Sequence, residues 1–331
     1  MESYDILTMV ENGAGHAVLA TVIYVEGHAY RKQGAVMLLM DDGRSVGSIS
    51  PGCLEADLAV YRSVVWESGK PQMVEYDMRP AEDLGWGETI GCGGLLRILL
   101  EPVAGKLLEC LLAIKASLDH GEPVELLRTF SDTYAVMTYE VCTAVNLASN
   151  ERLTDLSTYT SLFAPKPRVV VFGANEDAIP LAQMALSAGF RVVVADWRDS
   201  LCTRERFPGA EIEVAFPGEL ICSLKLTDQD YVVVMSHQFQ KDMVFVQGMM
   251  VSPLRYLGIM GSRERTEKML EGLERPDWLH YPVGLSIGSE GPFENAVSIV
   301  AQLIAIRRGA LESGEQCSVA KRGDIHGLGS W

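Results

Sequence analysis

The half of the chain after residue 167 alternates short apolar runs with segments of helical spacing. The runs at 168–172, 191–195, 231–235 and 256–260 carry few charges, and three of them are built around consecutive valines. A strand that is apolar at every position is buried on both faces, which is the environment of a strand in a parallel sheet between helices. The pattern therefore predicts a doubly wound, Rossmann-like α/β domain over residues 167–312.

The first 150 residues follow a different pattern. An Asp-Asp-Gly sequence at 41–43 separates two strand-like segments, 35–40 and 44–49, and such a turn is typical of a β-hairpin. Helical spacing occurs at 53–66 and 106–118. Further strand-like segments occur at 17–25, 73–76, 95–100, 124–130, 134–139 and 143–147. Strands in runs with helices beside them predict an α+β domain over residues 1–150, which closes in an antiparallel meander.

Two polar segments set the predicted domain limits. Residues 151–166 are rich in serine and threonine and lead into Pro165-Lys166-Pro167. We expect a linker there, because each proline disfavours helix at the residue before it. Residues 313–331 are polar and rich in glycine, which predicts a tail outside the two domains.

Charge and cysteine usage argue against several classes of protein. The 331-residue chain carries a formal net charge of −16, which disfavours binding to nucleic acid or to an anionic membrane surface. It contains no apolar run of membrane-spanning length, and its first residues lack the features of a signal peptide. Its seven cysteines form no C-x-x-C pair, so neither a disulfide framework nor a zinc ribbon is expected. We therefore expect a cytoplasmic protein with reduced thiols.

Two cysteines stand in turns built from small residues. Cys53 belongs to Ser-Pro-Gly-Cys-Leu-Glu at 50–55 and opens a predicted helix, whose N–H groups and dipole favour a thiolate. Cys92 belongs to Gly-Cys-Gly-Gly at 91–94, where successive glycines permit a nest of backbone N–H groups. Both sulfur atoms are expected to be open to a ligand; the alternative is two tight turns with incidental cysteines. The glycines beside them are Gly52, Gly91, Gly93 and Gly94.

The loop after the strand at 168–172 carries part of the dinucleotide-binding pattern G-x-G-x-x-G/A. Gly173 occupies its first position, and Asp196 ends the next strand at the distance expected of a ribose-binding carboxylate. Asn175 replaces the middle glycine, whose absence of a side chain lets the backbone approach a pyrophosphate. The loop thus supports the fold prediction more strongly than it supports nucleotide binding.

The charges next to this loop also disfavour a bound phosphate. Glu176 and Asp177 place two carboxylates at the start of the predicted helix. A like-charge contact at about 4 Å costs up to ~4 kcal/mol at an effective dielectric constant near 20. A helix dipole favours an anion by only ~0.3–1 kcal/mol at an exposed site. NAD(P) and FAD are therefore not the expected ligands, and Asn175 is expected to cap the helix instead.

Three further loops are candidate binding elements. Gln33 follows two basic residues in a loop before a buried strand, where a phosphate could bind. His237 follows the strand at 231–235, at the sheet edge where α/β domains bind ligands, and Asp242 is near it in sequence. A strand-to-helix turn with N–H groups and a guanidinium suited to phosphate is made of Gly261, Ser262 and Arg263. The alternative for each loop is an ordinary solvated turn.

Several of these motifs occur in a recognisable order. The two cysteine sequences at 50–55 and 91–94 are followed by Tyr-Leu-Gly-Ile-Met-Gly-Ser-Arg at 256–263 and Pro-Val-Gly-Leu-Ser-Ile-Gly-Ser-Glu at 282–290, which leads into Ala-Val-Ser-Ile-Val-Ala at 296–301. In this combination the sequence resembles the XdhC/CoxI family of xanthine dehydrogenase accessory proteins along nearly its whole length. It departs from the family at 173–176, where Gly-Ala-Asn-Glu stands in place of the common Gly-Ala-Gly-His.

The resemblance implies a maturation factor, that is, a cofactor chaperone rather than an enzyme in the usual sense. Such proteins bind the molybdenum cofactor, a molybdopterin, and support the exchange of an oxo ligand for sulfur together with a cysteine desulfurase. They then deliver the cofactor to a xanthine dehydrogenase-type apoenzyme. The resemblance further implies that Cys53 and Cys92 contact the molybdenum or its sulfur, since soft sulfur ligands suit such a centre. A homodimer is expected.

Two other functions remain open from the sequence. The strand–turn–helix at 168–178 and Asp196 would also suit an NAD(P)-dependent oxidoreductase. Cys53, Cys92 and His237 could alternatively hold a structural zinc or iron ion.

Overall fold

The computed structural model of the protein describes residues 2–79, 94–131, 137–143, 156–251 and 253–310. The chain divides into two compact units, Met1–Pro165 and Lys166–Trp331. None of the helices in the described residues combines the length and the apolar character that a membrane span requires.

The first unit contains a five-stranded antiparallel sheet. Its strands are β1 (Val18–Glu26), β2 (Val36–Leu39), β3 (Ser45–Gly47), β4 (Gln72–Asp77) and β5 (Leu95–Pro102), in the order β3-β2-β1-β5-β4. Strands β2 and β3 form the predicted hairpin, with Leu38 paired to Val46. The helices described in this unit are α1 (Glu2–Glu11), α2 (Glu55–Ser68) and α3 (Gly105–Asp119).

Successive side chains of β1 lie on opposite faces of this sheet. Leu19 packs with buried residues of α1 and α3 on one face, whereas Val18 and Val22 pack with Leu58 of α2 on the other. A sheet covered on both faces explains why β1 is apolar at successive positions and not only at alternate ones.

A second, three-stranded antiparallel sheet completes this unit. It consists of β6 (Val124–Ser131), β7 (Met137–Thr143) and β8 (Leu156–Phe163), in the order β7-β6-β8. The guanidinium of Arg128 on β6 donates from Nε to the Glu101 carboxylate of β5, 2.9 Å away, and from Nη1 to Ser161 Oγ of β8, at 2.8 Å. The Arg128 and Glu101 side chains are fully buried, so this ion pair joins the two sheets inside the protein.

The second sheet corrects one sequence prediction. Strand β8 lies within 151–166, so the linker prediction is wrong for residues 156–163. Of the third strand of the predicted meander, 143–147, only Thr143 belongs to the described residues, where it ends β7. β8 was missed because its serines and threonines are mostly solvent-facing and resemble a loop.

The second unit is a six-stranded parallel sheet, as the valine-rich runs predict. Its strands are β9 (Arg168–Phe172), β10 (Arg191–Asp196), β11 (Glu211–Val214), β12 (Tyr231–Val234), β13 (Tyr256–Ile259) and β14 (Leu279–His280). Their order, β11-β10-β9-β12-β13-β14, is that of a doubly wound, Rossmann-like fold. Its helices are α4 (Ala178–Ser187), α5 (Pro217–Ser223), α6 (Phe239–Met249), α7 (Arg263–Met269) and α8 (Gly291–Arg307).

Helices cover both faces of this parallel sheet. Val169 and Val171 of β9 pack with buried residues of α4 and α8, and Val170 and Phe172 pack with residues of α5, α6 and α7. Strand order reverses between β9 and β12, so the loops that follow these two strands leave the sheet in opposite directions. Such a switch point opens a crevice at the carboxyl edge of the sheet, where open α/β domains bind their ligands.

Candidate functional site

The loops that follow β9 and β12 touch each other at the switch point. Gly173 has a φ of 116°, and a Cβ atom at this position would lie 2.5 Å from the Cα of Ser236. Only glycine allows both this backbone conformation and this close approach. Gly173, predicted as part of a nucleotide loop, therefore acts here as the contact point between the two loops.

Asn175 joins the same two loops and caps α4. Its Oδ1 accepts a hydrogen bond of 3.1 Å from the backbone N–H of Ala178, and its Nδ2 donates to the carbonyl oxygen of Met235. The predicted capping contact of Asn175 is thus present. The same contact satisfies a backbone N–H group at the start of α4 that a bound phosphate would otherwise use.

Asp196 is fully buried, and protein donors surround its carboxylate. Its Oδ2 accepts from Ala174 N–H at 2.7 Å, and its Oδ1 accepts from Arg198 N–H at 2.8 Å and from Arg198 Nε at 2.9 Å. Burial alone would raise the pKa of Asp196, but the hydrogen bonds from Arg198 and Ala174 outweigh it and lower the pKa below the usual aspartate value. The carboxylate predicted to bind a ribose therefore holds the loop after β9.

A cleft of about 370 Å³ opens at the carboxyl edge of this sheet. The residues that line it include Asp177, His237, Gly261, Asn295 and Ser298, which come from four separate segments of the second unit. Its volume is within the range of small-molecule sites.

Asp177 and His237 form a pair at this cleft. His237 Nε2 lies 3.2 Å from Asp177 Oδ2, and half of the His237 side chain is exposed. The backbone φ of His237 is 61°, in the left-handed region that non-glycine residues rarely occupy. Backbone strain of this kind is concentrated at functional sites, where the surrounding structure maintains it.

A buried network maintains the conformation of the His237 loop. The Ser236 hydroxyl donates to Asp242 Oδ1 and accepts from Gln238 N–H at 3.2 Å, and Arg265 Nη2 donates to Asp242 Oδ2 at 2.6 Å. Asp242 is almost fully buried. Asp242, close to His237 in sequence, therefore contacts the neighbouring serine, and the residue that contacts His237 itself is Asp177.

The turn after β13 contributes less to the cleft than its sequence predicts. Gly261 lines the cleft with a φ of 136°. Ser262 caps α7 by accepting a 3.2 Å hydrogen bond from Arg265 N–H. Arg263 is exposed at the start of α7 and is not among the cleft-lining residues. Of these three candidates, the structure places only Gly261 beside His237.

Three polar residues near α8 complete the cleft. Ser289 Oγ donates to Asn295 Oδ1 at 2.9 Å, and Ser298 Oγ donates to the carbonyl oxygen of Leu285 at 2.7 Å. The sequence patterns did not point to Asn295 or Ser298 as binding residues. The signal for these two is the presence of polar residues in a helix that is otherwise rich in apolar residues, whereas Ser289 belongs to the 282–290 sequence before that helix.

The Cys53 loop is a hydrogen-bonded turn in the first unit. Cys53 precedes α2 by two residues rather than opening it, and its thiol is half-buried, 3.3 Å from Ser50 Oγ. The Ser50 hydroxyl also accepts from Gly52 N–H and Leu54 N–H, at 3.2 and 3.1 Å, and donates to the Glu55 carboxylate. Burial raises the pKa of Glu55, but the hydrogen bonds from Ser50 outweigh it and leave the pKa lowered, so this turn is organised around a carboxylate.

Of the second cysteine loop, only Gly94 belongs to the described residues. Cys92, Gly91 and Gly93 lie outside them. A Cβ atom at Gly94 would lie 2.5 Å from the carbonyl oxygen of Glu26 and 2.8 Å from that of His28, so this glycine packs directly against the end of β1 and the residues that follow it.

The remaining candidate in this unit, Gln33, is exposed in the loop between β1 and β2. Within the described residues, no group of three histidine, cysteine, aspartate or glutamate side chains could hold a metal ion. The structural-metal hypothesis also includes Cys92, which these residues do not cover.

Comparison with known proteins identifies the family. The model of the XdhC and CoxI family matches residues 12–77, and the XdhC Rossmann domain matches residues 169–303. A Bacillus subtilis protein named as a probable xanthine dehydrogenase subunit is 34% identical over 310 residues, which cover 88% of this chain and 93% of that protein. The chain belongs to the XdhC and CoxI family.

Further relatives extend this XdhC/CoxI assignment. An Escherichia coli protein named molybdenum cofactor insertion chaperone PaoD is 24% identical over 299 residues, which cover 88% of this chain and 83% of PaoD. A crystal structure described as a xanthine dehydrogenase from Bacillus halodurans is 37% identical and superposes with a TM-score of 0.87, covering 95% of this chain and 98% of that one. The likeness therefore includes both units of the XdhC/CoxI chain.

Proposed function

We propose that this protein is a maturation factor for a molybdenum enzyme, which binds the molybdenum cofactor and passes it to an apoenzyme. The observation that carries the proposal is the likeness, along 88% of the chain, to a protein named as a molybdenum cofactor insertion chaperone. The likeness to a protein named as part of a probable xanthine dehydrogenase supports a xanthine dehydrogenase-type client.

The Cys53 loop supports a role for sulfur in this function. A molybdenum cofactor supplies a thiophilic metal that is already carried by the pterin, so the protein need not provide a complete ligand set of its own. The described residues contain no three-ligand metal cluster, whereas Cys53 offers one half-buried thiol in a turn held by Ser50. This donor set fits the cofactor, and we propose Cys53 and Cys92 as the residues that contact the molybdenum or its sulfur.

The other proposed contacts follow from the same reasoning. Gly52 and the glycines of the second cysteine loop, Gly91, Gly93 and Gly94, would give a ligand close access to the backbone. Gln33, His237 and the loop Gly261, Ser262 and Arg263 are proposed as further cofactor contacts. We also propose that a cysteine desulfurase supplies the sulfur for the cofactor, that the protein acts in the cytoplasm and that it forms a homodimer.

We do not propose that the second unit is an NAD(P)-dependent or FAD-dependent oxidoreductase. The strand order would suit such a function. However, the first backbone N–H group of α4 already donates a hydrogen bond to Asn175. The Asp196 carboxylate already accepts hydrogen bonds from Ala174 N–H and from Arg198 Nε. A dinucleotide would have to displace these internal contacts before its pyrophosphate and ribose could bind.

The test is retention of cofactor by the full-length protein. We expect protein made under reducing conditions in a host that synthesises molybdopterin to release molybdopterin on denaturation, detected by mass spectrometry. Cys53→Ser and Cys92→Ala should each reduce the amount released, whereas Cys222→Ser, which changes an exposed thiol in the second unit, should not. Absence of molybdopterin from the unaltered protein would reject the function; full retention by both cysteine variants would reject only the role of their sulfur atoms.

A further inference from the structure

The Asp177 carboxylate faces the cleft although it belongs to the start of a helix. Residues at this position usually cap the helix, but here Asn175 supplies the capping oxygen and the Asp177 side chain makes no capping bond. Among the described residues, its hydrogen-bonding partner is His237, which engages Oδ2. The carboxylate is therefore positioned by a histidine and remains available as an acceptor for a ligand in the cleft.

Asn295 offers the complementary chemistry in the same cleft. Its Oδ1 accepts from the Ser289 hydroxyl, and this contact directs the amide so that its Nδ2 hydrogens remain as donors. The cleft is thus lined by a charged acceptor and a neutral donor, while Met260, Pro282 and Val283 add apolar surface for the face of a ring.

The Asp177 carboxylate and the Asn295 amide favour a ligand ring with one particular order of hydrogen-bond donors and acceptors along its edge. A carboxylate with two oxygens pairs best with two adjacent N–H donors, and it repels a phosphate. Adenine presents an acceptor next to its amino group, so one of its two positions would oppose the carboxylate. A 2-amino-4-oxo pyrimidine ring presents an amino group beside a ring N–H, followed by a carbonyl oxygen that can accept from an amide. Pterins and guanine share this edge.

We propose that this cleft binds the 2-amino-4-oxo edge of a pterin ring, with Asp177 accepting from the amino group and ring N–H and Asn295 donating to an acceptor of the same ring. His237 would hold the carboxylate in place and would not itself contact the ring edge. The choice of a pterin over guanine rests on the proposed function, whereas the recognition of the shared edge rests on the cleft alone.

Binding of two matched ligands, with guanosine as a third, tests whether the cleft recognises the 2-amino-4-oxo edge. Full-length protein made in a host that lacks molybdopterin would be titrated with 6-hydroxymethylpterin, with 6-hydroxymethyllumazine and with guanosine, and binding followed by ligand or protein fluorescence. The lumazine differs from the pterin by an oxygen in place of the 2-amino group. We expect the pterin to bind at least about tenfold more tightly than the lumazine and more tightly than guanosine.

Matched variants connect this preference to Asp177. Asp177→Asn should weaken pterin binding at least about tenfold and remove most of the preference over lumazine. Glu176→Gln makes the same change of charge on the adjacent residue, whose carboxylate bonds Arg206 and does not line the cleft, and it should leave both affinities unchanged. Asn295→Asp, which replaces the donor by an acceptor, provides a second loss-of-binding variant. The thermal unfolding midpoint of each variant reports whether it folds.

The outcomes separate this inference from the proposed function. Equal binding of pterin and lumazine, or equal effects of Asp177→Asn and Glu176→Gln, would overturn the assignment of the cleft. Tighter binding of guanosine than of the pterin would overturn the choice of ring. If the protein retains molybdopterin in vivo but shows no preference for pterin over lumazine in these titrations, only the assignment of the cleft is rejected. If it binds pterin in the titration but retains no molybdopterin, the maturation function falls.

Discussion

Asn175 donates its side-chain amide hydrogen to the main-chain carbonyl of Met235 and thereby links the loops after β9 and β12. The same side chain accepts from Ala178 N–H at the start of α4. One residue in place of a glycine thus connects three elements at the point where the strand order reverses.

Removing the Asn175 side chain should destabilise the second unit. Asn175→Ala loses both the cap of α4 and the bond to Met235, and we expect a loss of about 2 kcal/mol in the free energy of unfolding. Asn175→Asp retains the capping oxygen and loses only the donor, so its loss should be about half as large. Urea unfolding followed by circular dichroism measures both variants. Equal stability of Asn175→Ala and the unaltered protein would contradict the structural role of this link.

Gly173 should tolerate no side chain. Gly173→Ala combines an unfavourable φ of 116° with a Cβ atom 2.5 Å from Ser236 Cα, and the atoms it would meet are backbone, so we expect a loss of at least about 3 kcal/mol. Gly288→Ala is the matched control, because Gly288 has a φ of 75° but no atom within 4 Å of the added methyl. It should cost about 1 kcal/mol. Similar losses in the two variants, compared by thermal unfolding, would show that the loops separate easily.

The Asp196 carboxylate should make the free energy of unfolding of the second unit depend on pH in the acidic range. Because its pKa is lowered in the folded protein, its contribution to stability is complete above the pKa of an unfolded aspartate, about 3.9, and declines as the pH falls through the lower folded-state pKa. Asp196→Asn should cost about 2–3 kcal/mol at pH 7, and the difference from the unaltered protein should narrow below about pH 4.

The pH series of unfolding experiments has its own control. Asp228→Asn removes a carboxylate that is exposed on the surface, and it should leave both the stability and its dependence on pH nearly unchanged. A constant difference between Asp196→Asn and the unaltered protein from pH 7 to pH 3 would show that the carboxylate charge contributes nothing to the stability of the loop.

The thiols should differ in reactivity in the order of their exposure. Burial raises the pKa of Cys202 to about 11, so at pH 8 only about one Cys202 thiol in a thousand is ionised. Cys222 is exposed and Cys53 half-buried. Iodoacetamide labelling followed by peptide mass spectrometry should therefore modify Cys222 first, Cys53 next and Cys202 last. Labelling in denaturant should remove the order, and fast labelling of Cys202 in the folded protein would contradict its burial.

Much of the fold could be predicted because buried strands leave a strong pattern. Strands β9, β10 and β12 contain consecutive valines, since both faces of a parallel sheet are covered, and a run of this kind is distinct from helices and loops. Strand β8 could not be predicted in this way. Phe163 is its only buried residue, and Arg128 pairs with Tyr159 across a long sequence separation that local patterns do not contain.

The candidate site likewise contains one residue that local sequence patterns indicate and contacts that depend on the folded structure. His237 could be proposed from its place after a buried strand, because the carboxyl edge of a parallel sheet is where ligands bind. Its contact with Asp177 could not, because it depends on a left-handed backbone at His237 and on the adjacency of β9 and β12. The contribution of Asn295 depends in turn on the path of the chain from β14 into α8.

In the turn before α4, one side chain caps the helix and another lines the cleft. Asn175 caps the helix, and Asp177, two positions later, lines the cleft. A replacement at position 177 would leave the capping bond of Asn175 in place and would remove the contact with His237 Nε2. Under the pterin proposal, ligand preference could therefore be altered at one position whose side chain takes no part in capping α4.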